Sequence, residues 1–76
     1  SHYEKALGIQ ENTLPANHPD LAASYVNIGR VYLNIGDYSQ ALSHYEKALT
    51  IRENTLPVNH PDLAVSYGNI GRVYIN

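Results

Sequence analysis

The chain has 76 residues, a formal net charge of −2 and no cysteine. The absence of cysteine excludes disulfides and thiol chemistry, and the net charge gives no basic surface for nucleic acid. No apolar run approaches the roughly 20 residues of a membrane-spanning helix, and no signal-peptide pattern opens the sequence. We therefore expect no nucleic-acid partner and no membrane partner. No residue fixes the compartment, and an intracellular, cytoplasmic location is the working expectation.

Four helices are predicted along the chain, separated by prolines, which rarely occupy helix interiors. The first covers residues 1–14 and ends before Pro15. The second covers residues 19–35, because Pro19 suits a first helical turn and the apolar side chains that follow recur at helical spacing. These apolar side chains are Leu21, Tyr25, Ile28 and Tyr32.

A short turn and a longer link delimit the remaining two helices. Gly36 supplies a left-handed stop, and Asp37 with Gln40 forms a capping-box pattern. The third helix then covers residues 38–56 and ends before Pro57, and the fourth covers residues 61–76. The apolar stripe of the third helix consists of Tyr38, Ala41, Leu42, Tyr45, Ala48, Leu49 and Leu56.

The sequence repeats itself with a period of 42 residues. Residues 1–34 align with residues 43–76 without a gap, and 28 of the 34 aligned pairs are identical. The differing pairs are 8/50, 10/52, 16/58, 23/65, 26/68 and 33/75. Such a period is typical of helical arrays in which each unit packs on its neighbours. Recent duplication and deliberate consensus construction both fit the near identity.

These repeats resemble the tetratricopeptide repeat, whose usual unit has about 34 residues. The resemblance rests on Tyr25, Asn27-Ile28-Gly29, Tyr32, Gly36-Asp37-Tyr38, Ala41, Tyr45 and Ala48-Leu49. A second copy begins at Tyr67, Asn69-Ile70-Gly71 and Tyr74, and a preceding one ends at Tyr3 and Ala6-Leu7. The longer period is similar to that of kinesin light chains and nephrocystin-3-type proteins.

The resemblance implies an all-α solenoid of antiparallel helix pairs, here a single array segment over residues 1–76. The helices would follow the order B-A-B-A, where A and B are the first and second helices of a repeat. The family also implies a right-handed superhelix with a concave groove lined by A helices. Its implied function is non-enzymatic: a protein–protein interaction scaffold that binds peptide or protein segments, without catalytic residues, cofactor or metal.

A polar stripe on each A helix carries the candidate binding residues. The stripes comprise Ala23, Asn27, Arg30 and Asn34 in the first copy and Val65, Asn69, Arg72 and Asn76 in the second. At 100° per residue, they lie nearly opposite the apolar face. Family members that clamp carboxylates place a lysine one position before the asparagine, where this chain has Val26 and Gly68. The arginines still suit carboxylates, so we expect a preference for acidic segments.

Simpler interpretations remain open for these residues and for the histidines. The asparagines could bond to neighbouring helices, and the arginines could form a solvated face. His18 and His60, beside Asp20 and Asp62, are better explained as helix caps than as metal ligands. Arg52 interrupts an apolar stripe, and its stem would cover the core while its head reaches water or a carboxylate.

A second functional interpretation is a structural segment that binds copies of itself. Repeat arrays generally need about three units and polar caps, and this chain has fewer than two full periods. Both ends would expose apolar flanks. End-to-end stacking of identical chains is therefore the alternative to peptide binding.

Overall fold

The computed structural model describes residues 2–75, apart from the side chain of Tyr3. Four α-helices follow one another: α1 (His2–Thr13), α2 (Pro19–Asn34), α3 (Tyr38–Thr55) and α4 (Pro61–Ile75). No β-strand occurs within this range. The predicted all-α class and the alternation of B helices (α1, α3) with A helices (α2, α4) are confirmed.

Both A helices begin with the same histidine cap. The Nδ1 atom of His18 accepts a hydrogen bond from the backbone N–H of Asp20 at 3.1 Å, and His60 accepts one from Asp62 at 3.0 Å. In this geometry each imidazole satisfies one of the N–H groups that a helix start leaves without an internal partner. The histidines therefore act as structural caps, as the sequence favoured.

The turn between α2 and α3 reverses the chain in three residues. Gly36 adopts a positive φ of 83°, a conformation that residues with a Cβ rarely adopt. Asp37 then caps α3, because its Oδ1 accepts the backbone N–H of Gln40 at 3.2 Å. This tight connection sets α2 and α3 antiparallel.

The four helices pack in a zigzag in which each helix contacts its chain neighbours. The contact between α2 and α3 is the most extensive, followed by α3 with α4 and α1 with α2. The described residues form a slab of 32 × 32 × 14 Å. The continuous core consists of Leu7, Leu21, Ala22, Tyr25, Val26, Ile28, Ala41, Tyr45, Ala48, Ile51 and Val73.

Tyr45 is the central side chain of this core, and it packs directly against Gly29. A Cβ on Gly29 would lie 2.8 Å from two ring carbons of Tyr45, so α2 and α3 approach closely only because this position has no side chain. Tyr38 differs from expectation: it is 43% exposed and not in the core. It is the first residue of α3, next to the exposed turn residues Gly36 and Asp37.

Side-chain hydrogen bonds tie each B helix to the A helix that follows it. The Tyr25 hydroxyl donates to Glu11 at 2.6 Å, and the Tyr67 hydroxyl donates to Glu53 at 2.9 Å. In each pair the tyrosine follows the glutamate by 14 residues, and the second pair lies one 42-residue period after the first. The bond therefore recurs with the repeat.

A second recurring tie uses different partners in the two copies. Ser24 donates to Gln10, whereas Arg52 donates from Nη1 to the Ser66 hydroxyl at 2.8 Å and to the Asp62 carbonyl at 3.3 Å. Arg52 thus reaches a hydroxyl and a backbone carbonyl. Its head group replaces the amide of Gln10 in the same inter-helix contact.

Candidate functional site

The candidate site is the pair of polar stripes on α2 and α4. Helical periodicity places these residues away from Leu21, Tyr25 and Ile28, which α2 buries in the core. On α2, Arg30 and Asn34 are exposed, and Asn27 is partly buried.

On α4 the stripe is less uniform than on α2. Arg72 is exposed, whereas Asn69 is only 4% exposed. Asn76 lies outside the described residues. The identical asparagines of the two copies therefore differ in accessibility.

Arg30 and Arg72 both lie close enough to Tyr45 to act on the same phenol. Burial raises the pKa of Tyr45, and the positive charges of these two arginines partly offset that rise. The charges of two arginines on different A helices therefore act on one core residue.

Two buried polar side-chain atoms have no hydrogen-bond partner in the part of the chain that the structure describes. They are Tyr45 Oη and Asn69 Nδ2. A buried donor without an acceptor costs on the order of 1–3 kcal/mol, so such atoms mark a locally unsatisfied region. No sequence pattern indicates these unpartnered atoms, because the helical spacing of Tyr45 predicts only that it fills the core.

The polar stripes carry no carboxylate at any of their eight positions. Several carboxylates of the B helices are instead engaged by tyrosines: Glu11 by Tyr25, Glu53 by Tyr67, and Glu4 by Tyr32 at 3.3 Å. The chain is acidic as a whole, yet these stripes are basic.

The positions one residue before the asparagines differ from those of a carboxylate clamp. Val26 is 6% exposed and belongs to the core, so it is covered by other side chains. Gly68 is exposed and offers no side chain. Neither position supplies a cation.

A small cleft of about 150 Å³ opens where α2 and α4 begin and α3 ends. Its lining residues are Pro19, Ala22, Ala23, Ile51, Arg52, Thr55, Leu56 and Asp62. The Arg52 guanidinium is already bonded to Ser66 and Asp62 there. The cleft therefore lies beside the hydrogen bonds of Arg52 that join α3 to α4. Ala23 belongs both to the lining of the cleft and to the polar stripe of α2.

No group of three or more metal-ligating side chains occurs in residues 2–75. None of the four helices within that range is long and apolar enough to cross a membrane.

Antiparallel helix pairs that recur every 42 residues, with matching caps and matching ties, define a helical-repeat protein. The tetratricopeptide repeat family model matches residues 1–54 and 36–75, so the chain belongs to the tetratricopeptide repeat family. A comparison with curated proteins gave no match. Repeats of this family generally mediate protein–protein interactions, and the family is typically a non-enzymatic scaffold.

Proposed function

We propose that this chain binds protein or peptide segments through the polar stripes of α2 and α4, and that it prefers acidic segments. The observation that carries the proposal is that Arg30 and Arg72 are both exposed, at equivalent positions of α2 and α4, with no carboxylate on either stripe. A ligand segment that crosses both stripes would meet two guanidinium groups.

Arginine is suited to this role because its planar fork can donate two parallel hydrogen bonds to one carboxylate. Asn34 is exposed beside Arg30 and can donate to, or accept from, the ligand backbone. Asn27 is partly buried, so only the accessible part of its side chain would contact the ligand. Asn69 would contribute its unpartnered amide only if the ligand or a side-chain movement exposes it.

The proposal is tested with a fluorescent acidic peptide and its amide counterpart, in which Asp and Glu are replaced by Asn and Gln. We expect the double variant Arg30→Ala/Arg72→Ala to bind the acidic peptide at least about tenfold more weakly than the parent, as loss of a charge-assisted contact predicts. Fluorescence anisotropy at low and physiological salt measures the change, and added salt should weaken parent binding.

The matched control is Lys5→Ala/Lys47→Ala, which removes two positive charges from the B helices. It should bind the acidic peptide nearly as well as the parent, because both lysines lie off the polar stripes. Equal losses in the two double variants would indicate attraction by net charge alone. Unchanged binding in the arginine variant would refute the proposal.

A second candidate function is self-association through the ends of the slab. The observation that favours it is that equivalent residues differ in exposure: Tyr25 is 9% exposed, whereas its counterpart Tyr67 is 55% exposed. The tyrosine ring that is covered on α2 is therefore exposed to solvent on α4. Concentration-dependent sedimentation tests this candidate, and a monomer at all concentrations would contradict it.

A further inference from the structure

The outward face of α4 has nearly the same sequence as the face of α2 that α3 covers. Residues 61–75 align with residues 19–33 and differ from them at 23/65, 26/68 and 33/75. On α2 this face is covered, with Ala22 1% exposed. Its counterpart Ala64 is exposed, as are Tyr67, Gly68, Tyr74 and Ile75. The α4 helix therefore presents a binding surface for a B helix.

The helix that matches this surface is α1, at the other end of the chain. Residues 2–13 align with residues 44–55 of α3 and differ from them only at 8/50 and 10/52. Ala48 is fully buried and Ile51 is 7% exposed, whereas Ala6 is exposed and Ile9 is 65% exposed. Each chain thus carries, on α1 and on α4, the two exposed surfaces that together would form one more contact of the α2–α3 type.

We propose that α1 of one copy packs on α4 of a second copy in the register in which α3 packs on α2. The proposal rests on the second candidate function above and specifies its geometry. Ile51 lines the same clefts as Ala22 and Tyr25. Ile9 of one copy accordingly contacts Ala64 and Tyr67 of the other.

Two ring contacts of the α2–α3 pair fix the register further. Lys47 Nζ lies 5.6 Å from the ring centroid of Tyr25, and the His44 ring stacks on Tyr32 at 5.4 Å. In the proposed contact, each α3 residue is replaced by its counterpart 42 residues earlier, and each α2 residue by its counterpart 42 residues later. Lys5 therefore pairs with Tyr67, and His2 with Tyr74, across the two copies. All four of these residues are exposed in the single chain.

The contact is heterologous, because α1 and α4 are different surfaces at opposite ends. A heterologous contact that does not close into a ring produces an open chain of copies. Assemblies larger than a dimer should therefore appear as the concentration rises.

Sedimentation velocity on the full 76-residue chain tests the register with three variants. Gly71→Ala adds a Cβ that meets nothing within 4 Å in the single chain, whereas a Cβ at the matching Gly29 would strike Tyr45. Tyr3 is the sequence counterpart of Tyr45. Gly71→Ala and Ile9→Glu should both remain monomeric at concentrations at which the parent forms assemblies. Gly8→Ala is the matched control, because Gly8 is also open and its counterpart Thr50 is exposed; it should associate like the parent.

Mixing the two monomeric variants distinguishes this contact from other modes of association. Gly71→Ala retains the α1 surface and Ile9→Glu retains the α4 surface, so the mixture should form a one-to-one complex that grows no further. A parent that stays monomeric refutes both self-association and the register. A parent that associates while Ile9→Glu or Gly71→Ala also does so, or while the mixture stays monomeric, refutes the register alone.

Discussion

Gly29 sets how closely α2 and α3 can approach, and its counterpart Gly71 offers a control in the same molecule. The Gly29→Ala variant should lose about 1–3 kcal/mol of unfolding free energy, because the new Cβ overlaps the buried ring of Tyr45. Gly71→Ala should instead gain about 0.5–1 kcal/mol, as expected for replacing glycine in an open helix position. Urea unfolding at a concentration that keeps the parent monomeric measures both. Equal effects at the two glycines would contradict the close approach.

Tyr25 is one residue whose ionisation should weaken the fold at high pH. Burial raises the pKa of Tyr25 to about 12, and the hydrogen bond to Glu11 and its negative charge add to the rise. An unfolded tyrosine titrates near 10, so the contribution of the neutral phenol is complete below about pH 10 and is lost towards pH 12.

The Tyr25→Phe variant tests this alkaline loss, since it has no phenol to ionise. Its unfolding free energy should fall less steeply than that of the parent between about pH 10 and 12. All other ionisable groups are common to both proteins, so the difference between the two profiles isolates Tyr25. Urea unfolding through that window measures it, and parallel profiles would show that Tyr25 contributes nothing.

At the scale of the helix, the histidine caps carry a stability that can be measured. His60→Ala removes the acceptor for the Asp62 N–H and should cost about 1 kcal/mol. His60→Asn supplies another side-chain acceptor at the cap and should recover most of that loss. Thermal unfolding by circular dichroism measures both variants. Equal stability of His60→Ala and the parent would mean that solvent replaces the cap without cost.

The helices were predictable because their signals are local. Pro19 fits a first turn wherever the rest of the chain lies, and Gly36 provides the left-handed turn on its own. Tyr38 was wrongly expected in the core because its apolar ring has the correct helical spacing. Tyr38 is 43% exposed at the start of α3, beside exposed turn residues, and periodicity does not encode where a helix begins relative to the core.

The candidate site was less predictable, for a physical reason that the two asparagines illustrate. Asn27 and Asn69 have the same sequence neighbours on most sides, yet one is partly buried and the other is buried. Accessibility depends on the three-dimensional packing around a position, and no local pattern carries that information. The effect of the Arg30 and Arg72 charges on the pKa of Tyr45 likewise depends on packing between different helices.

At the scale of the whole molecule, the proposed stacking couples stability to concentration. Binding between folded copies stabilises the folded state by mass action. The Tm of the parent should therefore rise with protein concentration, whereas the Tm of Gly71→Ala should stay constant. Differential scanning calorimetry over a concentration series measures this, with Gly8→Ala as the variant that should follow the parent. A constant parent Tm would contradict stacking.

The 14-residue ties of Tyr25 to Glu11 and Tyr67 to Glu53 also bear on how fast the chain folds. Each tie closes a loop of the same short length, and the Tyr32–Glu4 bond spans only 28 residues. The entropy of closing a loop grows with its length, so proteins dominated by near contacts fold quickly. Adding another 42-residue unit lengthens none of these loops. A longer array would therefore form its first helix pairs at the rate of this short one and extend from them by propagation.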